Sequence, residues 1–471
     1  MTFIKVYTII MKNEGGENME QLFQPNAFDV FPLVFPIKKE TWITIKPLGT
    51  RKHFDGDYTV VVHQADAGMY EWNHTDIPCR TDEDGAIRFP YTANFEGEYF
   101  VRVYKEKELV VQVYVYALEK DLACRYPLRG DFHTHTIRSD GQETPAVVCA
   151  NYRRKGYDFI VITDHDRYFP SLEAIAAYKD VKTFLHILPG EEVHLPDGVV
   201  HVVNAGGLFS VNGLLPMKEN YLETNGELSK RRFDESVQPP DVYTMDAFWK
   251  EIEALEYDLL HAEEPFPQDV NLRSYAVTLW AFEKVRQAQG LAIFAHPYWI
   301  QDLYQIPEKF TRHMLKNHPF DAFEVLGGEN YYQQNGFQTA LYYDEYRYGR
   351  VHPIVGSTDS HSSTPSNRNW DICSTIVFAK SNTREDILNA VREKYSIAVD
   401  TLSKEYRLVG EFRLQKYGAF LMERYFPIHD KQAFLDGEMM YQYANGNAEK
   451  AEVESVSARA ETLLRKYIQF A

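Results

Sequence analysis

The stretch from Arg129 to Gly141, RGDFHTHTIRSDG, places His133 and His135 two residues apart in an extended run. Alternate residues of a strand point to one face, so both imidazoles can reach a single point. Asp140 follows in a short turn. Two histidines at this spacing occur by chance in many chains, and this pair gains weight from five other segments. DFIVITDH ends at His165, FLHILPGEE at Glu191 and Glu192, VVHVVNAGG contains His201, LAIFAHP contains His296, and HPIVGSTDSH carries Asp359 and His361. Each joins a short apolar run to a His, Asp or Glu, and apolar runs bounded by Gly or Pro read as buried parallel strands. Imidazoles and carboxylates without thiolates form a donor set for Zn, Mn or Fe. Eight or nine donors exceed what one tetrahedral ion takes, so two or three divalent transition metal ions are expected. Ions so placed lower the pKa of a bridging water from about 16 to roughly 7, giving a hydroxide for in-line attack without a nucleophilic Ser or Cys. Polar ligands at the C-terminal ends of successive buried strands are the arrangement of a barrel active site.

In order and spacing, H-x-H, T-D-H, G-x-E, a strand-borne His, A-H-P and D-x-H resemble the polymerase-and-histidinol-phosphatase (PHP) superfamily of metal-dependent hydrolases, over roughly residues 130 to 400. The HTxxSDG form and the helical tail are most similar to the CehA/McbA-type metallohydrolases. The resemblance implies an α/β fold, a PHP-type distorted (β/α)7 barrel. It implies one ion held by His133, His135, Glu192 and Asp359, with Glu192 bridging to a second at His201 and His296. A third lies near Asp140, His165 and His361. Asp140 stands where many members carry Asp and some His, so its ion is expected to be weakly held. Glu192, as the third residue of G-x-E, is the ligand in place of Glu191. His194 is left unassigned, to face substrate or to pack. Asp359, Glu192 and His361 are expected to be catalytic as well as ligating. Arg138 and Arg368 are candidates to clamp a phosphate, with a surface role as the alternative.

Other elements must position these residues. A chain of 471 residues is expected to form two or three domains. Residues 1–18 fit nothing that follows; codons for Glu14–Asn18 can form a ribosome-binding site, so Met19 is the expected natural start. Residues 19–125 carry period-two strands, ETWITIK, DYTVVVHQ, YFVRVYK and ELVVQVYVY, and predict an antiparallel β-sandwich. It serves packing or assembly, with sugar binding through Tyr70 and Trp72 as the other reading. His53, His63 and His74 within it are read as surface or satisfied positions. Residues 126–400 form the barrel. Thr144–Pro145 begins a helix that stops at Gly156, and strand–helix–strand alternation predicts a parallel sheet. Asp197–Gly198, as a hairpin tip, sets His194 opposite His201, with Glu192 on their face.

The insertion 208–290 holds Lys230–Arg231–Arg232 and two helices, Met245 to Leu260 and Ser274 to Gln289. It is read as a lid. Residues 401–471 form a helical tail. Its stripe of Val453, Val456, Ala460, Leu463, Leu464, Tyr467 and Ile468 is expected to pack on the barrel or on a second subunit, so a homo-oligomer through the sandwich or tail is possible.

The net charge of −18 argues against a long nucleic acid as partner. No apolar run is long enough to span a membrane. Cys79, Cys124, Cys149 and Cys373 form no C-x-x-C pair and read as reduced thiols of a cytoplasmic protein. The expected activity is phosphomonoester hydrolysis of a small soluble substrate. Hydrolysis of an ester or carbamate at the same site is the alternative, and a non-catalytic binding or assembly protein the alternative of another class.

Overall fold

The computed structural model describes residues 28–49, 54–68, 74–215, 242–300, 302–328, 332–364, 372–401 and 407–470. The chain divides into two compact units. One comprises Met1–Arg125 with Phe420–Tyr425 and Thr462–Ala471, the other Tyr126–Ala419 with Phe426–Glu461. His53, Tyr70, Trp72, Lys230–Arg232 and Arg368 lie outside the described residues, as does the N-terminal stretch before Phe28.

The first unit holds two sheets. One runs Phe28–Phe31, Thr41–Pro47, Ile87–Tyr91, antiparallel throughout. The other runs Val34–Pro36, Glu108–Leu118, Gly97–Lys105, Asp57–Gln64, His74–Arg80, antiparallel after a parallel first pair. Along Gly97–Lys105 buried and half-buried residues alternate, as one covered face requires. The chain's last residues join this unit. Leu33 N–H donates to the Tyr467 carbonyl at 2.8 Å, and Gln469 N–H to that of Val34 at 2.9 Å.

The second unit is a mixed α/β structure. A six-stranded sheet runs His186–Leu188, Phe159–Val161, Tyr126–Asp131, Cys373–Ala379, Ser396–Asp400, Arg407–Val409. A five-stranded sheet runs Gly190–Val193, Val202–Ala205, Leu291–Phe294, Ala322–Leu326, Ile354–Gly356. Two isolated parallel bridges, His165 to Glu192 and Thr134 to Ser360, link the sheets where the ligand-type residues lie. Leu128, Phe159 and Val161 from one sheet share a buried cluster with Val203, Ile293 and Val355 from the other. This apolar layer fixes the strand ends that carry the polar residues.

The expected parallel sheet is corrected. Only the pairs built through crossover helices are parallel. Gly190–Val193 and Val202–Ala205 are antiparallel, as the hairpin read at Asp197–Gly198 requires, with Asp197 at φ 59°. Val202–Ala205 and Leu291–Phe294 are antiparallel too.

The lid reading is also corrected for the described part of the insertion. Its helices Met245–Leu260 and Leu272–Gln287 bury Phe248, Ile252, Trp280 and Phe282 in one cluster with Val202 and Phe294. Helices so deeply packed form part of the core. Neither expected partner takes the whole tail stripe: Val453 sits in a core with Val148, Ile160 and Met440, whereas Tyr467 and Ile468 belong to the first unit.

Candidate metal centre

The site lies at one edge of the two sheets. His133 and His135 follow Tyr126–Asp131, His165 follows Phe159–Val161, His296 follows Leu291–Phe294, and Asp359 and His361 follow Ile354–Gly356. Glu192 lies within Gly190–Val193. His201 departs from the expected pattern and precedes its strand, Val202–Ala205. That strand runs antiparallel to its neighbours, so its N-terminal end reaches the same edge.

Buried carboxylates that face away from the site hold its loops in place. The Asp131 carboxylate accepts from Thr358 Oγ1 at 2.7 Å and from the amides of His133 and Thr358 at 3.1 Å. This clamps the first motif to the last, and the His135 amide adds a 2.9 Å bond to the Ser360 carbonyl. Burial pushes the Asp131 carboxyl up to about 7, with the Thr358 and His133 hydrogen bonds opposing. Asp164, inside T-D-H, accepts from the amides and hydroxyls of Thr136 and Ser139 at 2.7–3.0 Å, which shapes the loop presenting Asp140. Glu191 and Glu192 point to opposite faces. Glu191 accepts from Ser210 at 2.7 Å and from Asn204 and Asn212 at 3.0 and 3.1 Å, whereas Glu192 faces the histidines. Asp359 at φ 49° and His296 at φ 20° occupy backbone conformations that non-glycine residues rarely take, as functional sites tolerate.

Five sets of donors converge among the described residues, each with its ligand atoms within 4.8 Å of one another, and three of them match the expected ions. In the first, Asp140 Oδ2 lies 3.4 Å from His165 Nε2 and 3.3 Å from His361 Nε2, and His135 stacks 4.2 Å from the His361 ring. In the second, Asp359 Oδ1 lies 3.2 Å from His133 Nε2 and 2.8 Å from His135 Nε2, and Glu192 Oε2 is 3.3 Å from His133 Nε2. In the third, Glu192 Oε1 lies 2.8 Å from His201 Nδ1 and 3.5 Å from His296 Nε2. Two donors each about 2.1 Å from one tetrahedral ion stand about 3.4 Å apart, so these separations suit shared ions.

Unsatisfied atoms point the same way. His133 Nε2, His135 Nδ1, His165 Nδ1, His201 Nδ1, both nitrogens of His296 and both carboxylate oxygens of Glu192 are buried without a hydrogen bond of good geometry. Buried polar atoms in such numbers are costly unless a ligand completes them. Divalent cations fit this donor set.

Proton affinities are pulled apart across the cluster. Burial lowers His135 to about 3, with His165 and His361 adding repulsion, and burial lowers His201 to about 4. For His165 burial also works downward, but the Glu192 and Asp140 carboxylates prevail and raise it to about 11. His133 is likewise raised, because Asp359, Glu192 and Glu324 outweigh its burial. Burial would raise Glu192, but the surrounding imidazoles pull it well below the carboxylate range.

All nine expected ligands therefore stand together. His194 joins them, its ring 3.9 Å from that of His201 and its Nε2 3.5 Å from Glu192 Oε1. The pairing of Val193 with Val202 gives the register that places Asp197–Gly198 at the tip. Arg138 is a different matter. Its guanidinium is held in a two-pronged pair with Glu173, both bonds 2.8 Å, so it is not available as a phosphate clamp in this arrangement. Glu324 escaped the sequence reading. It lies in Ala322–Leu326, fully buried, with Oε2 3.4 Å from His133 Nδ1. An acid amid the apolar run AFEVL was the available signal.

No family model matches the sequence, and no curated protein matches it. Several solved structures are similar to this chain at low scores. A two-domain protein from Bacteroides vulgatus, described as containing a predicted PHP-like metal-dependent phosphoesterase, is 16% identical, with 64% of this chain and 70% of that one covered and a TM-score of 0.40. A protein from Bifidobacterium adolescentis, described as a metal-dependent phosphoesterase, is 20% identical, with 55% and 96% covered and a TM-score of 0.34. An amidohydrolase from Chromobacterium violaceum is 16% identical, with 50% and 87% covered and a TM-score of 0.27. At these scores the functional reading rests on this chain's own residues.

Proposed function

We propose that this chain is a metal-dependent hydrolase of the PHP type that releases phosphate from a small soluble phosphomonoester, such as a nucleotide or sugar phosphate. The observation that carries the reading is the convergence of eleven imidazole and carboxylate side chains with so many buried, unsatisfied donor atoms. On this reading the two large sheets form a distorted (β/α)7 barrel, the first unit contributes a β-sandwich, and the CehA/McbA-type enzymes are the nearest pattern. Four cysteines without a C-x-x-C pair suit a reducing compartment, and the reading places the protein in the cytoplasm. Among the described residues no helix is long and apolar enough to cross a membrane.

Two or three divalent ions, of Zn, Mn or Fe, would supply a hydroxide nucleophile and neutralise charge on the attacking and leaving oxygens. His133, His135, Glu192 and Asp359 would hold one, Glu192, His201 and His296 another, and His135, Asp140, His165 and His361 the third. The carboxylates of Asp140, Glu192, Asp359 and Glu324 bring four negative charges, fewer than three divalent ions would carry. The site therefore draws an anion into a chain of net charge −18. On this reading Asp359, Glu192 and His361 would act at the reacting atoms, and half-buried His194 would hold the substrate.

A second reading, cleavage of an ester or carbamate, gains from the capture of Arg138 by Glu173. A side-by-side screen of phosphomonoesters, aryl esters and carbamates under identical metal conditions tests both, with Asp359→Asn as the blank. Phosphate release by the wild type alone supports the first reading, and ester or carbamate cleavage without phosphate release supports the second. If the variant equals the wild type on every substrate, neither stands, and a binding role takes their place.

A further inference from the structure

We infer that Glu324 is a positioning residue of the metal centre, whose buried carboxylate fixes the outer edge of His133 and the backbone at His296. The inference rests on the metal-centre reading above. His133 presents two edges to carboxylates: Nε2 lies 3.2 and 3.3 Å from Asp359 and Glu192, while Nδ1 lies 3.4 Å from Glu324 Oε2. An imidazole that turns one nitrogen to an ion carries its proton on the other, and an acceptor there selects that tautomer and holds the ring plane. Glu324 is the acceptor. The same Oε2 receives the His296 amide at 3.3 Å, at a residue held at φ 20°. One carboxylate oxygen thus steadies a member of each of the two neighbouring donor sets.

Glu324, His133 and His296 also lie close enough together to bind an ion themselves. Hydrogen-bond direction argues against that role. The oxygen nearest His133 also accepts the His296 N–H, so when His133 Nδ1 donates to it both of its lone pairs are engaged. His133 Nε2 already faces Asp359 and Glu192, leaving Nδ1 as the edge that donates outward.

The chain makes costly provision for this carboxylate. A fully buried carboxylate loses several kcal/mol of hydration, and its Oε1 has no hydrogen-bond partner. Gly327, at the end of the strand, makes room for it: a Cβ there would stand 2.0 Å from Glu324 Oε1. Glu324 is presented from a strand between buried Phe323 and Val325, with Gln338 Nε2 bound to its carbonyl at 3.2 Å. Placement on a rigid element suits a group whose task is orientation.

The test compares wild type with Glu324→Gln, which keeps the size and an acceptor oxygen but removes the charge. Each is stripped of metal and titrated with Co2+, following visible absorption and bound stoichiometry, with circular dichroism to verify folding. The expected result is an unchanged number of ions at saturation, an affinity lowered about 10–100-fold at one site, and a shifted Co2+ spectrum. Glu324→Asp, which keeps the charge but retracts it, should fall between the two and is read in place of the glutamine variant if that fails to fold. Wild-type affinity and spectrum in the variants would overturn the inference, and so would loss of one whole ion at saturation, which would make Glu324 a ligand. If the wild type itself binds no ion, the metal-centre reading falls first, an outcome distinct from either.

Discussion

Two buried polar networks in the second unit have opposite character. The one around Arg153 is nearly complete. Arg153 donates to Asp436 and Asp158, both at 2.7 Å, and His429 lies between Asp158 at 2.8 Å and Asp430 at 3.0 Å. Arg129 reaches Asp430 at 2.6 Å, and Ser457 donates to Asp436. Three cationic side chains meet three carboxylates, and they tie helix Pro145–Arg154 to helix Phe426–Ala444. The network around Glu192 has seven imidazoles and too few protons or cations to satisfy their buried atoms. A polar network closed on itself serves architecture. One left open, with buried donor atoms that outnumber the partners the chain supplies, is suited to a cation.

This contrast breaks most readily at Asp359. Asp359→Asn should lower turnover at least a hundredfold, beyond the 10–100-fold expected for an outer partner of a ligand. It should also lower bound metal, read by elemental analysis. Normal turnover would mean the open network is not the site of reaction.

The next effect is on protons. His133, His165, His296 and His361 are all raised above the ordinary imidazole value, in each case because carboxylates outweigh burial, so the ion-free cluster holds protons at neutral pH. Ligating imidazoles must be neutral, so metal binding should release protons and weaken steadily as pH falls. Calorimetry in two buffers of different ionisation heat measures the release; a heat independent of buffer would contradict it.

In the closed network, His429→Ala should cost about 3 kcal/mol, as breaking a buried ion pair does, and leave metal content unchanged. The sign with pH is fixed. Burial works to lower His429, but Asp158 raises it; its contribution is full below the ordinary imidazole value of about 6.5 and fades as pH rises through the elevated one. Asp158 is lowered, because His429 and Arg153 outweigh its burial; its contribution holds above the ordinary carboxylate value and fades as pH falls through the depressed one. The stability gap between wild type and variant, from denaturant unfolding, should therefore be widest in between and narrow towards alkaline pH.

The smallest effect belongs to Arg138→Ala. A partly exposed pair with Glu173 is worth at most about 1 kcal/mol, and turnover should change less than about tenfold. A hundredfold rise in KM for a phosphomonoester would instead restore Arg138 as a clamp.

The open network was more legible in the sequence than the closed one. Its residues follow apolar runs whose length and composition mark strands, and the Asp197–Gly198 turn set the register that brings His194 to His201. Thr144–Pro145 and Gly156 bounded their helix for equally local reasons. Partners far apart in sequence were hidden. Arg153 and Asp436 are 283 residues apart, and nothing local in either indicates the other. Glu324 sat in plain view, but without an adjoining His or Gly turn its acid read as part of an ordinary strand. The hairpin at Asp197–Gly198 made Val202–Ala205 antiparallel to Gly190–Val193, but its antiparallel pairing with Leu291–Phe294, across the long insertion, had no local signal.

The pairing of Leu33 and Val34 with Tyr467 and Gln469 has a consequence in time. Val34–Pro36 is an edge strand of its sheet, and the residues that cover that edge are made 434 positions after Val34. At about 5–20 residues per second, a ribosome needs roughly 20–90 s to make the intervening chain. β-rich domains fold in milliseconds to seconds. The early strands can therefore come together long before their last neighbour exists, leaving Val34 and Phe35 as an open, apolar edge throughout synthesis. Such an edge is a template for pairing with another nascent chain.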